Sequence, residues 1–394
     1  MSTRNNTAIW LSIGLSYAAM MSLAVAVNLM PVFLTTLRAD LGGAVQLSNE
    51  QLGRISAITF VGLVAGILIT GPLADRFGAK PFAFGGNLLI AAGLLLTWRA
   101  PGYGTLLVAV AVMGVGAGVL DMVLSPIVSA LQPHRRSAAM NWLHSFYCIG
   151  AVATVLGASS ALRCGVHWRA IALGMIAIPL LVAAGFTRMT LPALVAHEDG
   201  RLPLRQLMRV PLFLVAVAAI FLAGATELGL AQWLPAYAEV DLGFTPWVAG
   251  MSLLLFSVAM ALGRILAGLI GHRVAGVVLM RACCWVTALL FVVACFAPWS
   301  GLRLAAAIAT GLTGSCLWPT MLGVTADRFP RGGASMFGML AAFGNFGGVF
   351  MPWIVGATAD MTGRMNWGIS LAVLCPLGMI ILLRAMDRRH AAMP

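Results

Sequence analysis

The sequence predicts an all-α integral membrane protein, with twelve transmembrane helices arranged as two six-helix pseudo-repeats. Three observations lead there. Of the 394 residues, 61% are hydrophobic and 9% charged, against roughly 45–50% and about 25% in a soluble domain. A bilayer-spanning helix takes about 20 apolar residues, so twelve spans consume roughly 240–300 residues and leave only connectors. That excludes an ordinary soluble enzyme and leaves no room for a separate catalytic domain. Charges and Gly/Pro clusters cut the apolar sequence into twelve pieces, and the chain repeats itself at half its length.

The first piece, 8–37, is a single apolar run from Ala8 to Leu37. It exceeds the core of about 7–15 residues in a signal peptide and is read as a retained helix. The second, 51–73, ends at Gly71 and Pro72; the third, 81–98, lies between Lys80 and Arg99; the fourth, 104–131, runs from Gly104 to the Gln132-Pro133 turn. The fifth, 137–161, sits between Arg136 and Arg163, and the sixth, 168–187, stops at Arg188. After the longest polar stretch, the seventh (211–238) begins at Pro211 and the eighth (247–270) follows Pro246. The ninth (275–297) stops before Pro298 and the tenth (301–326) before Asp327 and Arg328. Asp360 closes the eleventh (333–359), and Asp387, Arg388 and Arg389 close the twelfth (366–386).

The net charge of +12 would suggest a nucleic-acid partner in a soluble chain. Here the 24 Lys and Arg residues cluster in the gaps between apolar runs, so the charge is topogenic and no nucleic-acid partner is expected. With a cytoplasmic N-terminus, 16 of them fall inside and 7 outside (Arg38, Arg54, Arg99, Arg163, Arg169, Arg303 and Arg364), with Arg264 within the eighth span. The positive-inside rule then places both termini in the cytoplasm. The stretch 188–210, with Arg188, Arg201, Arg205 and Arg209, becomes a cytoplasmic linker between an N-terminal half (1–187) and a C-terminal half (211–394). The seven cysteines contain no C-x-x-C pair and lie mostly within apolar runs. They read as buried thiols, not as a disulfide framework or a metal site.

A shift of 197 residues aligns Gly66 with Gly263, Gly71 with Gly268, Arg76 with Arg273, Pro101 with Pro298, Gly114 with Gly311 and Gly150 with Gly347. The offset stays constant through matching loops and helix positions without gaps. Duplication of six-helix units is a common way to build a secondary transporter, with the substrate site between the halves near the midplane.

Between the second and third spans lies Gly71-Pro72-Leu73-Ala74-Asp75-Arg76-Phe77-Gly78-Ala79-Lys80. Gly71 allows two helices to approach closely, and Asp75 can face a helix N-terminus or a cation such as Arg135 or Arg136. The second copy has His272 where the first has Asp75. Three formal charges lie well inside spans: Asp121, Glu227 and Arg264. An ionised side chain at mid-helix costs about 2.5–3.5 kcal/mol on insertion scales, so each must pair, face a cavity or be neutral. Arg264, one helix away, is a candidate structural partner for Glu227.

The Gly71–Lys80 segment resembles the loop signature of the major facilitator superfamily, G-x-x-x-D-R-x-G-x-[RK]. The stretches around Asp121, Glu227 and Arg264, together with Asn141-Trp142-Leu143-His144 in the fifth span, are similar to the fucose/galactose/hexose symporter branch and its glucose-transporter relatives. This resemblance covers essentially the whole chain and implies a major facilitator fold. It also implies secondary active transport of a monosaccharide by a monomer in the bacterial inner or equivalent plasma membrane, with no cofactor and with H+ or Na+ as coupling ion. In that branch the acid of the fourth helix bears on substrate and cation coupling, a role that falls on Asp121. The loop motif implies a gate at Gly71, Asp75, Arg76, Gly78 and Lys80, with Arg135 and Arg136 opposite.

Elementary chemistry is compatible with a sugar. A carboxylate accepts two hydrogen bonds from a vicinal diol, and an indole offers a flat apolar face to a pyranose. Asp121 and Trp318 are equivalent under the 197-residue shift; with Glu227, Asn28, His144 and Trp233 they make up the candidate substrate and coupling set. The rival reading is an efflux carrier for drugs or other amphiphiles. The chain lacks the helix 4 Arg and helix 5 Gly-Pro pair usual in that group. No Walker loop, H-E-x-x-H or suitable G-x-S-x-G is present, so ATP-driven pumping and intramembrane hydrolysis lack their residues.

The charge bias makes the linker cytoplasmic. Gly200→Cys, in a background without native cysteines, should therefore resist an impermeant maleimide added to intact cells and react after permeabilisation. Ready labelling of intact cells overturns the topology.

Overall fold

The computed structural model describes residues 3–41, 47, 49–191, 200 and 202–390. All regular elements among them are helices, and eleven are long and apolar enough to cross a membrane. In chain order they are α1 (Thr3–Asp40), α2 (Asn49–Phe77), α3 (Lys80–Arg99), α4 (Tyr103–Leu131), α5 (Arg136–Arg163) and α6 (Trp168–Arg188). The second series is α7 (Pro211–Asp241), α8 (Pro246–Ile270), α9 (Gly276–Phe296), α10, α11 (Gly333–Thr362) and α12. The expected tenth span is present as two consecutive helices, Ser300–Gly314 and Leu317–Arg328, together labelled α10. Likewise α12 comprises Met365–Leu371 and Leu374–His390. The protein is thus an all-α multi-pass membrane protein. Of the expected linker, residues 192–199 and 201 lie outside the described residues, as do the chain ends 1–2 and 391–394.

Four helices are interrupted, and each interruption falls where the sequence dictates. Proline has no N–H to give to the carbonyl four residues earlier, and its ring crowds that carbonyl. Pro179, Pro235, Pro319 and Pro376 therefore address Met175, Ala231, Ser315 and Ala372. The turns sit at Ile176, at Gln232–Trp233, at Ser315–Cys316 and at Ala372–Val373. Past its turn, α7 continues through Leu234–Ala236 into a π-helical turn, Tyr237–Asp241. Pro31, Pro72, Pro126 and Pro352 stay inside unbroken helices, where neighbouring helices can re-satisfy the freed backbone groups.

The chain divides into two compact units. One comprises Met1–Leu131, Phe146–Gly200 and Gly333–Gly338; the other comprises Gln132–Ser145, Arg201–Gly332 and Met339–Pro394. The start of α5 therefore packs with the second unit and the first turns of α11 with the first.

Apolar lipid gives helices no hydrophobic reason to associate, so contact depends on small residues that let backbones touch. On α2 and α4 the arrangement is reciprocal: a Cβ on Gly62 or Gly66 would run into the Ala111 or Val115 carbonyl, and one on Gly114 or Gly118 into the Thr59 or Leu63 carbonyl. The second unit repeats it. A Cβ on Gly263 of α8 would strike the Leu312 carbonyl, and one on Gly311 of α10 the Phe256 carbonyl. These are the residues that the 197-residue shift pairs with Gly66 and Gly114, so the internal repeat has a direct packing counterpart.

Gly118→Ala forces α4 off α2 and should destabilise the purified protein by about 1–3 kcal/mol, the usual cost of overpacking. Gly157→Ala meets nothing within 4 Å and should leave the detergent melting curve unchanged. Equal melting temperatures for the two variants would refute the backbone-contact account.

Candidate functional site

In the second unit the buried charge of α8 organises its surroundings. Arg264 is 3% exposed. Its Nη2 donates to both Glu227 carboxylate oxygens, at 2.8 and 2.9 Å. Its Nε donates to the Ser315 carbonyl at 3.1 Å and Nη1 to the His144 carbonyl at 3.1 Å. The Ser315 acceptor exists because Pro319 cannot supply the helical N–H that would occupy it. One guanidinium thus joins α7, α8, α10 and the start of α5, and the carboxylate beside it provides the counter-charge.

The α5 contribution extends one turn further back. Asn141 Nδ2 donates to Thr320 Oγ1 at 2.7 Å and to the Ser137 carbonyl at 2.9 Å. Both Asn141 Oδ1 and His144 Nε2 are buried without a hydrogen-bond partner among the described residues. Buried polar atoms are nearly always satisfied, by ordered water if not by protein. These two lie three residues apart and so on one helix face.

Of the sequence-derived candidates, Glu227, Arg264 and His144 come together in this cluster. Trp233 is held elsewhere: its Nε1 donates to the Pro352 carbonyl at 2.8 Å, and its ring lies where a Cβ on Gly356 would be. Trp318 packs its ring against Gly344 and Gly224, filling the space between α7 and α11, and remains partly exposed. In the first unit, Asp121 is partly buried in α4. Asn28 of α1 donates to the Ala24 carbonyl at 2.8 Å and to Tyr147 Oη at 3.4 Å. Ser315, Asn141 and Tyr147 were not among the candidates. Ser315 had a local signal in the proline four residues later, and Asn141 lies in the fifth-span stretch that carries the family resemblance.

The loop motif is also built. Asp75 accepts from the backbone N–H groups of Ala334 and Ser335, at 2.7 and 3.0 Å, and from the Ser335 hydroxyl. That is a carboxylate on the N-terminus of α11, the first of the two roles open to it. Arg136 instead donates to Asp327 at 3.3 Å and to the Ala326 carbonyl at 2.9 Å, and Arg135 is exposed. Gly78 ends α2 at φ +81°, a left-handed conformation suited to glycine. Lys80 donates to the Thr187 carbonyl at 2.9 Å, and Arg76 lies over the Phe77 ring at 5.2 Å. A Cβ on Gly71 would sit 3.5 Å from Ser335, an ordinary contact, whereas one on Gly268 would press into the Trp142 indole at 2.9 Å. The steric demand for glycine is therefore in the second copy.

A profile of the Major Facilitator Superfamily matches residues 9–300 and 241–393. The probable nitrate/nitrite transporter NarK2 of Mycobacterium tuberculosis is 28% identical over 340 residues, 80% of this chain and 81% of that protein. The multidrug resistance protein MdtL of Salmonella schwarzengrund is 30% identical over 189 residues, 47% of this chain and 46% of that protein. Among solved structures, FucP in the outward conformation aligns with a TM-score of 0.83 at 22% identity, covering 96% of this chain and 99% of that one; FucP is the E. coli fucose:proton symporter. The human organic anion transporter MFSD10 aligns at 0.76 and 15% identity, covering 95% and 99%. At such identities these structures speak for the fold.

Removing one partner of a buried ion pair strands the other charge, at about 3–5 kcal/mol, whereas an apolar replacement of both is often neutral. Glu227→Leu should therefore lower the thermal stability of the purified protein sharply, and adding Arg264→Met should recover most of the loss. No recovery in the double variant would mean that the pair is not what the single change removes.

Proposed function

Because the chain belongs to the major facilitator superfamily, and is therefore a secondary transporter and not an enzyme, we propose that it moves a small polar solute, a monosaccharide, by alternating access coupled to a proton or a sodium ion. The observation that carries the reading is the buried Glu227–Arg264 pair seated on the break in α10. Arg264 is permanently charged, while a carboxylate can lose its charge to a proton. Protonation of Glu227 removes the counter-charge, and the contacts from Arg264 to Ser315 and His144 must then readjust. A proton thereby gains a mechanical connection to three other helices.

The charge count points the same way. Two carboxyls, Asp121 and Glu227, lie well inside the spans against one guanidinium, so uptake of one proton brings the set to neutrality. Asp121 is the proposed coupling acid, with Glu227 as its alternate. Asp121, Asn28 and the partly exposed Trp318 are proposed to meet substrate, a carboxylate for the diol and a ring for the apolar face. The contact of Asp75 with the N-terminus of α11 is the proposed gate lock, on a side of the membrane that the charge bias assigns to the cytoplasm. The fold likeness to a fucose:proton symporter is compatible with this substrate class.

A small inorganic anion is the second reading. It is favoured by the relative that spans 80% of the chain and by the presence of Arg264. Glu227 already occupies that guanidinium, so an anion would have to displace a carboxylate. An efflux reading has a relative matching 47% of the chain. Thermal-shift measurements against a sugar panel, with and without sodium, and against nitrate and nitrite separate these readings. Stabilisation by one sugar supports the proposal, whereas stabilisation by nitrate alone replaces it.

Asp121→Asn mimics the protonated acid. It should retain substrate exchange between two pools while losing accumulation driven by an ion gradient, as measured with radiolabelled substrate in proteoliposomes. Normal gradient-driven accumulation removes Asp121 from coupling and moves the assignment to Glu227.

A further inference from the structure

The second unit contains a cavity of about 460 Å³, whose lining shares Arg135 and Arg136 with the expected gate but none of the candidate substrate and coupling residues. Its polar lining includes His134, Arg135, Arg136, Asp327 and Arg328, and the first turn of α9 at Gly276 closes one side. That volume lies in the usual range for small-ligand pockets, about 300–1,000 Å³.

The charge balance of this cavity selects its ligand. The lining contains three arginines and one acidic residue, Asp327, which Arg136 already holds at 3.3 Å. Arg328 is largely buried, with its side chain 11% exposed. It donates to the Met386 carbonyl at 3.2 Å and lies 3.9 Å from Asp387, an acid shared with Arg281 at 3.1 Å. Nε of Arg136 is buried without a hydrogen-bond partner among the described residues. No acidic residue occupies the first turn of α9, and its N-cap Ala275 offers no side-chain cap. First-turn N–H groups lack intrahelical partners and, with the helix dipole, favour an anion.

We infer that this cavity binds a phosphate-bearing anion, gripped by Arg135, Arg136 and Arg328 and seated on the N-terminus of α9. Guanidinium groups suit the purpose because their paired N–H donors match two phosphate oxygens at once. The same chemistry is offered by the headgroup of an anionic phospholipid and by a free phosphate. Occupation ties the turn before α5 to α9 and α10; of these, α5 and α10 also supply carbonyls to Arg264. The inference does not depend on the transported substrate.

The test uses the purified full-length protein. One arm is native mass spectrometry after incubation with equimolar phosphatidylglycerol and phosphatidylcholine; the other is equilibrium dialysis against radiolabelled inorganic phosphate in a non-ionic detergent. Selective retention of phosphatidylglycerol assigns the site to lipid, and saturable phosphate binding assigns it to a free anion. In either arm Arg135→Gln alone should weaken binding, and Arg135→Gln with Arg328→Gln should weaken it about tenfold or more, the scale of a lost charge-assisted contact. Arg209→Gln, a change of the same charge at an exposed arginine outside the cavity lining, should leave binding intact. No binding in both arms overturns the inference, as does an equal loss in the Arg209 variant. If the double variant does not fold, the single Arg135 variant decides alone: unchanged binding there also overturns it.

Discussion

A guanidinium in the interior of an apolar span has to be satisfied on the spot, because no solvent can share its charge. Arg264 meets this condition through one carboxylate and two main-chain carbonyls, and much of the second unit's polar structure follows from it. The carboxylate comes from α7, one carbonyl from the break in α10 and the other from the start of α5. None of the four helices can shift far without loosening a donor. Of these partners only the carboxylate carries a charge that balances the guanidinium.

Glycine and proline divide the remaining work. Glycines at matched positions of α2/α4 and α8/α10 bring backbones into contact where lipid supplies no hydrophobic attraction. Prolines two to four residues beyond a turn interrupt α6, α7, α10 and α12. At Ser315 the carbonyl left over by such a break becomes a ligand for Arg264. A local defect in one helix thereby serves a tertiary interaction with another.

Acids at helix ends provide a second recurring device. Asp241, closing the π turn of α7, accepts from the N–H groups of Met365 and Asn366 at the start of α12, at 3.3 and 2.9 Å. Asp40, at the end of α1, takes the Trp168 indole N–H at 2.7 Å and a guanidinium N–H of Arg169 at 3.3 Å, at the start of α6. The first and last helices of each series are thus joined by the same type of residue. Asp75 does likewise for α11. Each carboxylate meets N–H donors at or near a helix N-terminus, where the dipole favours negative charge.

The sequence by itself determined the class of protein, the number and order of its spans and the repeat, because these depend on local quantities: apolar run length, interrupting charges and the spacing of small residues. It also singled out Glu227 and Arg264, since a charge inside a span is costly wherever it sits, and it allowed Asp75 a helix N-terminus or a cation. Tertiary structure decided between those two roles by bringing the start of α11 to Asp75. It made Trp233 a packing residue bonded to Pro352, and it joined His144 to Arg264 through a main-chain carbonyl instead of the imidazole. Backbone acceptors are the reason such features stayed illegible. Every residue carries a carbonyl, so only the relative placement of helices, set by contacts far apart in the chain, determines which one meets a buried charge.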